Sequence, residues 1–295
     1  MAANTRDIRR RIKSVKNTSQ ITKAMQMVAA AKMRKAQQAA LGGRPYAELL
    51  SRTLAAVAEG TTAGAHELLK VREVKKELVI VVSTDKGLCG PLNTNLMREV
   101  AKFDPEKTIF VALGRKAVQY LVRSKRTLVA EFELKDNFSF LQSKSVSKFA
   151  MEKFTAGEVD RVTVVFTDFV NTLTQIPKAR TIIPIGSLAV TVGIGGAQEE
   201  AKPGVKSGGS SEFTFEPDQA AVLGAILPHF VHFQVYQMVL DARASEHSSR
   251  MVAMKSATDN AKQLIKDLTL EYNKVRQAAI TTELLEITTA QMALG

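Results

Sequence analysis

The residues of this sequence whose types could do chemistry are one cysteine, four histidines and two glycine-rich turns. Cys89 lies near a predicted helix N-terminus, where a thiolate is favoured, so a catalytic thiol is one interpretation. We favour the other, a small buried residue at a tight turn. A single cysteine excludes an internal disulfide and any multi-cysteine metal site, and it is typical of a reducing compartment.

The histidines offer one pair with metal-binding spacing. His229 and His232 are three apart in PHFVHF, while His66 and His247 stand alone. A pair three apart can lie on one face of a helix, but no carboxylate occurs beside it at helical spacing. We therefore expect packing positions and predict no metal.

The glycine-rich turns match no phosphate-binding motif. Gly87-Leu88-Cys89-Gly90 follows a predicted strand but fits neither G-x-G-x-x-G nor the phosphate loop that ends in Gly-Lys-Ser/Thr. Gly193-Ile194-Gly195-Gly196 runs into a polar Gly/Pro/Ser-rich stretch up to Ser211, which is typical of a linker. There is also no paired-acid site, nucleophile elbow or zinc spacing, so we predict no cofactor and no catalytic centre.

The middle of the chain alternates strand and helix patterns. Apolar runs predict strands at about 78–82, 108–113, 127–132 and 162–166, with helices at about 115–122 and 140–154. Residues 181–192 could add another strand or two. Strands that alternate with helices predict a parallel or mostly parallel sheet.

The C-terminal segment carries the 3.5-residue repeat of a coiled coil. The repeat predicts a helix from about Pro217 to Ala290, roughly 110 Å long at 1.5 Å per residue. Its apolar or small seam residues are Met251, Met254, Thr258, Ala261, Ile265, Leu268, Tyr272, Val275 and Ala279.

The N-terminal segment has a shorter stripe and is the natural antiparallel partner. A stutter near Thr18 interrupts the stripe, and Gly42, Gly43 and Pro45 predict a kink or break further on. The stripe residues are Ile8, Ile12, Val15, Ile21, Met25 and Val28. We therefore predict an α/β domain inserted between two long terminal helices that form an antiparallel coiled coil, with bounds 1–58, 76–200, 201–216 (linker) and 217–295.

The positive charge is concentrated at the N-terminus. Of the formal net charge of +12, residues 1–44 hold eleven Lys or Arg against Asp7 alone. Such a helix could bind nucleic acid, an acidic membrane surface or an acidic protein. Residues 1–44 contain no aromatic side chain on which bases could stack, which disfavours nucleic acid. The Arg-rich start continues the helical stripe, so we interpret it as mature protein and not as a transit peptide.

Four segments resemble the gamma subunit of the F-type ATP synthase. NTSQITKAMQMVAAAKMRKAQ (17–37) resembles its N-terminal signature, and 245–261 with 268–287 resemble its C-terminal signature. STDKGLCGPLNTN (83–95) is similar to S-D-R-G-L-C-G-x-x-N-T-N, with Thr84 as an insertion-like departure and Lys86 in place of the usual Arg. The resemblance covers the full length.

The resemblance implies a Rossmann-like α/β domain at the foot of the coiled coil, and a non-catalytic subunit of a multisubunit enzyme. It implies a central rotor shaft, one per hexamer of alternating alpha and beta subunits, which couples ion-driven rotation of the c-ring to ATP synthesis or hydrolysis. The implied partners are alpha, beta, epsilon and c subunits, with no nucleic acid. The implied contacts with the hexamer are Lys23, Met25, Arg276, Gln277 and Glu283. A basic coiled-coil nucleic-acid-binding protein and a Rossmann-type enzyme are the alternatives.

The sequence contains no run of 18 apolar residues, so we predict a peripheral rather than a spanning protein. The start at Met1 without a leader favours a bacterial protein on the cytoplasmic face of the inner (plasma) membrane.

Overall fold

The structure, a computed structural model, describes residues 5–43, 45–47, 49–50, 53–54, 66–134, 138–185, 216 and 218–294. The chain divides into two units: Met1–Ala29 with Met251–Gly295, and Ala30–Arg250. Apart from Glu216, the predicted linker and the glycines at 193–196 lie outside the described residues. The predicted domain bounds stay predictions.

The regular elements follow the predicted alternation. The five strands are β1 (Glu77–Val82), β2 (Thr108–Leu113), β3 (Leu128–Phe132), β4 (Arg161–Phe169) and β5 (Gln175–Ile183). The helices are α1 (Thr5–Gly42), α2 (Leu92–Ala101), α3 (Arg115–Arg123), α4 (Phe140–Thr155) and α5 (Gln219–Leu294), with a 3₁₀ turn at Glu67–Leu69. Residues 45–47, 49–50 and 53–54 are also helical.

The sheet has the order β3-β2-β1-β4-β5. The first four strands are parallel and β5 is antiparallel to β4, which confirms a mostly parallel sheet. The last strand starts earlier than predicted, because Asn171 Oδ1 accepts hydrogen bonds from the N–H groups of Leu173 and Thr174 and closes a tight hairpin. Most of β5 before Ile182 is half-buried or exposed, as befits an edge strand, so it lacks the apolar run that marked the others.

Apolar side chains cover both faces of the sheet, as in a doubly wound fold. On one face, alternate residues of β1 (Leu78, Ile80, Val82) pack in one buried cluster with α4 and the first half of α5. On the other face, Val79 and Val81 pack with α2 and α3. Because β1 is buried on both sides, its sequence is a continuous apolar run.

Helix α1 ends at Gly42, where the glycines and proline predicted an interruption. The side chain of Gln237 from α5 donates a hydrogen bond to the carbonyl of Ala40 at 3.2 Å. This contact satisfies one of the carbonyls left without an intrahelical partner at a helix end.

In the other unit, the start of α1 and the end of α5 pair in antiparallel fashion. Arg9 Nη2 donates to Tyr272 Oη at 2.5 Å, and the hydroxyls of Thr22 and Thr258 are 2.7 Å apart. Residue numbers thus rise along one helix as they fall along the other, which confirms the predicted direction.

The seam of this pair differs from the predicted stripe in α1. Ile8 and Ala29 are buried, but Ile21 and Val28 are 60% and 56% exposed, so their assignment to the seam was wrong. After the stutter the seam passes to Ser19 and Thr22, which are half-buried. On α5 the predicted seam residues Met254, Thr258, Ala261 and Leu268 are all buried.

Candidate functional site

The carboxyl edge of the sheet between β1 and β4 is where a doubly wound fold binds ligands. The turn Gly87–Gly90 leaves β1 at this edge and leads to the start of α2. Leu88 adopts a left-handed backbone conformation with φ 62°, which is uncommon for a non-glycine residue. Asn93 Nδ2 donates to Thr84 Oγ1 and to Cys89 Sγ, at 2.8 and 3.2 Å, and braces the turn from α2.

Helix α5 crosses this edge and bonds directly to the turn. Ser249 Oγ donates to the carbonyl of Cys89 at 2.7 Å, and the guanidinium of Arg250 reaches the carbonyls of Lys86 and Gly87 at 3.2 to 3.4 Å. These contacts hold α5 against the backbone of the turn, at the edge where such a fold would bind a ligand. The fold therefore uses its usual ligand crevice to hold its own helix.

A pocket of about 210 Å³ is left beside the contact. Its described lining residues carry no ionisable side chain, so they supply no acid, base or charged nucleophile: Pro91, Leu92, Asn95, Thr167, Leu173, Thr174, Gln175, Pro177 and Ser249.

Cys89 is buried, and burial raises the pKa of its thiol. A raised pKa opposes thiolate formation, which is the reverse of what a catalytic thiol needs. The favoured interpretation, a small buried residue at a tight turn, agrees with this geometry.

The histidine pair lies in packing positions. The ring of His229 is 5.9 Å from that of Tyr46 and 5.5 Å from that of Phe140. His232 Nδ1 is 2.6 Å from Ser147 Oγ, and both side chains are buried between α4 and α5. Among the residues that the structure describes, no group of three or more His, Cys, Asp or Glu could hold a metal.

The paired helices offer a different kind of site, an exposed surface. Beyond Tyr272, where Arg9 also stacks on the ring at 5.4 Å, α5 runs on to Leu294. Every side chain from Arg276 to Met292 is exposed. Within the described part of the chain, no helix is long and apolar enough to span a bilayer.

The comparisons with known proteins agree over the whole length. A family model described as ATP synthase matches residues 4–294. The ATP synthase gamma chain of Methylacidiphilum infernorum is 48% identical, with 99% of this chain and 100% of that one aligned. The gamma chain of Opitutus terrae is 49% identical, with 99% of each aligned.

The chain belongs to the ATP synthase gamma chain family. Solved structures show the same fold at low sequence identity. A chain of the Euglena gracilis mitochondrial ATP synthase, from an OSCP/F1/c-ring structure, is 20% identical with a TM-score of 0.69, covering 98% of this chain and 94% of its own. A chain of the Tetrahymena thermophila central stalk and c-ring structure is 23% identical with a TM-score of 0.60, covering 80% and 99%.

In this gamma chain, all five predicted contact residues lie in the paired-helix unit. Lys23, Arg276, Gln277 and Glu283 are exposed, and Met25 is half-buried beside the seam. The predicted residues on α5 therefore share its exposed end, and those on α1 lie near the Thr22–Thr258 contact. Their role as partner contacts stays a prediction.

Sequence reasoning missed the bonds that α5 makes to the sheet. Their donors lie in SEHSSR, a polar run that interrupts the apolar stripe and is nonetheless buried from Ser245 to Ser249. A buried polar run needs hydrogen-bond partners. That run was the available signal, but the partners are remote in sequence.

Proposed function

We propose that this gamma chain is the central rotor shaft of an F1Fo ATP synthase. Its paired helices enter a hexamer of three alpha and three beta subunits, and its α/β domain rests with epsilon on the c-ring. The observation that carries the proposal is the exposed, apolar end of α5. The nucleic-acid alternative has no support from the family comparisons.

The end of α5 is suited to turn inside a partner. Residues 277–295 carry only two charged side chains, Glu283 and Glu286. Their large apolar side chains are 49–85% exposed: Ile280, Leu284, Leu285, Ile287 and Met292. An exposed apolar surface of this kind marks a protein contact. With few ion pairs to break, it can rotate in an apolar sleeve.

The basic face of α1 supplies contacts that depend on orientation. Lys23 and most of the other cationic residues of α1 are exposed. Exposed charge pairs are each worth up to about 1 kcal/mol, so pairs with carboxylates of one beta subunit can form and break reversibly. Lys23, Met25, Arg276, Gln277 and Glu283 are the contacts that we propose.

Rotation drives catalysis in this proposal because the shaft has unlike faces. A partner shifts a conformational equilibrium only if it interacts differently with the states. One asymmetric shaft presents a different face to each of three identical beta subunits, and ion flow through the c-ring changes which face each one meets. The gamma chain itself is non-catalytic, and it is peripheral to the cytoplasmic face of a bacterial inner membrane.

Native mass spectrometry of this chain mixed with bacterial alpha and beta subunits tests the proposal. We expect one copy per three alpha and three beta subunits, and ATPase turnover of the isolated complex that depends on the chain. Absence of a complex, under conditions in which another bacterial gamma chain assembles, would refute it.

Replacing Arg276 by alanine should weaken coupling. The side chain is exposed in the paired-helix unit, so its loss leaves the chain folded. We expect about a fivefold fall in ion-driven ATP synthesis, which corresponds to about 1 kcal/mol of lost orientation-dependent contact. Synthesis in membrane vesicles and thermal unfolding of the isolated chain measure the two effects.

The matched control is Lys262→Ala, which removes another exposed cation of α5, one that pairs with Asp259 at 3.3 Å. It should change synthesis little. An Arg276→Ala chain that unfolds, or a control with the same fall in synthesis, would contradict the contact role.

Deleting the last ten residues, 286–295, should leave partial activity. The deletion removes Ile287 and Met292 but keeps Ile280, Leu284 and Leu285, so part of the apolar bearing surface remains. We expect about one quarter to one half of full-length ATPase turnover, because terminal turns carry few contacts. Complete loss of hexamer assembly would contradict the proposal that the end of α5 is a surface on which the helix turns inside its partner.

A further inference from the structure

Residues Ser245–Arg250 of α5, here the polar collar, attach the helix to the sheet by hydrogen bonds from side chains to backbone carbonyls. Arg243, just before the collar, makes one further bond of this kind, to the carbonyl of Leu134 after β3 at 2.9 Å. Two clusters of buried apolar side chains connect α5 to the sheet. Among the described residues, the last α5 residue in either cluster is Ala244. From there to Arg250 the helix is polar, yet Ser245 and Ser248 are fully buried and Ser249 is 8% exposed.

The collar donates to backbone carbonyls of three separate segments at the carboxyl edge of the sheet. Ser245 Oγ donates to Thr167 on β4 at 3.0 Å. Ser248 Oγ donates to Thr172 in the β4–β5 hairpin at 2.8 Å. The third segment is the turn after β1, where the carbonyl of Cys89 accepts a hydrogen bond from Ser249 and the carbonyls of Lys86 and Gly87 accept from Arg250.

An ion pair holds the Arg250 guanidinium in place. Its Nη2 is 2.8 Å from Glu246 Oε1, with the two side chains 12% and 10% exposed, and its Nη1 is 3.4 Å from His247 Nδ1. A guanidinium in a planar fork can serve this carboxylate and the carbonyls of Lys86 and Gly87 together. A lysine has a single nitrogen and lacks this fork.

The donors are spread around the helix. At about 100° per residue, Ser248, Ser245, Ser249 and Arg250 together span roughly 200° of its circumference. Hydrogen bonds are directional, whereas apolar contact is not. Bonds that point outward over such an arc oppose rotation of α5 about its own axis relative to the sheet.

We propose that the polar collar is a torsional lock, and that its four donors are positioning residues which make the sheet and α5 turn together. The inference rests on the proposed rotor function. Apolar packing holds the helix against the sheet, and the collar sets its rotational angle under torque.

Single-molecule measurement of torsional stiffness tests the lock. The complex of this chain with alpha and beta subunits is immobilised through the hexamer, and a probe is attached to the sheet domain through Lys107→Cys. The variance of the probe angle in the stalled complex gives the stiffness. Removing the donors with Ser248→Ala, Ser249→Ala and Arg250→Met together should lower the stiffness at least about twofold.

Two further variants separate torsion from general destabilisation. Ser83→Ala removes buried bonds from a hydroxyl to the carbonyls of Leu113 and Gly114, and these bonds do not involve α5. It should leave the stiffness unchanged. Arg250→Lys keeps the cation beside Glu246 but loses the fork, and should fall between wild type and the triple variant.

Equal stiffness in wild type and triple variant would overturn the lock, and so would an equal fall in Ser83→Ala. If the triple variant does not assemble, the single serine variants carry the test. Each should be measurably softer than wild type, and equality would refute the lock. A wild-type complex that assembles but never rotates would instead refute the rotor proposal.

Discussion

Replacing Gly114 by alanine is expected to lower the free energy of unfolding of this gamma chain by about 3 kcal/mol. Gly114 lies between β2 and α3 with φ 91° and ψ 145°, a conformation that residues with a Cβ rarely adopt. An added Cβ would lie 2.6 Å from the carbonyl oxygen of Ser83. That oxygen is backbone and cannot move aside cheaply. Denaturant unfolding followed by circular dichroism measures the change.

Gly224→Ala is the matched control, with an expected effect of opposite sign. Gly224 lies inside α5, and beyond its chain neighbours and the adjacent backbone of the helix no atom of the described residues lies within 4 Å of an added Cβ. Alanine in a helix interior is favoured over glycine by about 0.5 to 1 kcal/mol, so this variant should be more stable than wild type. A Gly114→Ala chain as stable as wild type would show that the turn can relax.

Acidification should destabilise the chain through His232. Burial lowers the pKa of His232 from 6.5 to about 4, and the nearby Lys144 and His229 contribute to the shift. Above pH 6.5 the side chain is neutral in both the folded and the unfolded chain. As the pH falls from 6.5 to 4, only the unfolded chain takes up the proton. The free energy of unfolding should therefore fall by about 3 kcal/mol over this range.

His232→Asn isolates this contribution. An asparagine amide can replace Nδ1 as the partner of Ser147 Oγ but does not titrate. Subtracting the variant's unfolding free energy from that of wild type at each pH removes the effect of other groups, including His66, whose pKa burial also lowers. A difference that does not change between pH 6.5 and 4 would contradict the assignment.

Much of the fold could be predicted because burial leaves a periodic trace. Strands buried on both faces, such as β1, are continuous apolar runs, and the seam of α5 keeps its repeat from Met251 onward. The edge strand β5 has one poorly covered face, and its start was therefore misplaced. The predicted seam of α1 was wrong at Ile21 and Val28, which are exposed, because after the stutter small polar residues take the inner positions.

Part of the candidate site could likewise be predicted from the sequence. Motif resemblance identified the family and proposed Lys23, Met25, Arg276, Gln277 and Glu283 as contacts. Independently, the glycine spacing of Gly87–Gly90 matches no phosphate-binding motif. These conclusions depend on local residue order, which a single sequence contains.

The hydrogen bonds of the polar collar join segments that are far apart in the sequence and meet only in the folded chain. Ser249 and Cys89 are separated by 160 positions, and Ser248 and Thr172 by 76. A serine hydroxyl can donate to any carbonyl in reach, and every residue has a carbonyl, so residue types do not identify the acceptor. The sequence by itself thus specified a long helix whose apolar pattern is interrupted by a polar run. The packing of that helix over the carboxyl edge of the sheet decided which carbonyls accept the hydrogen bonds of the run.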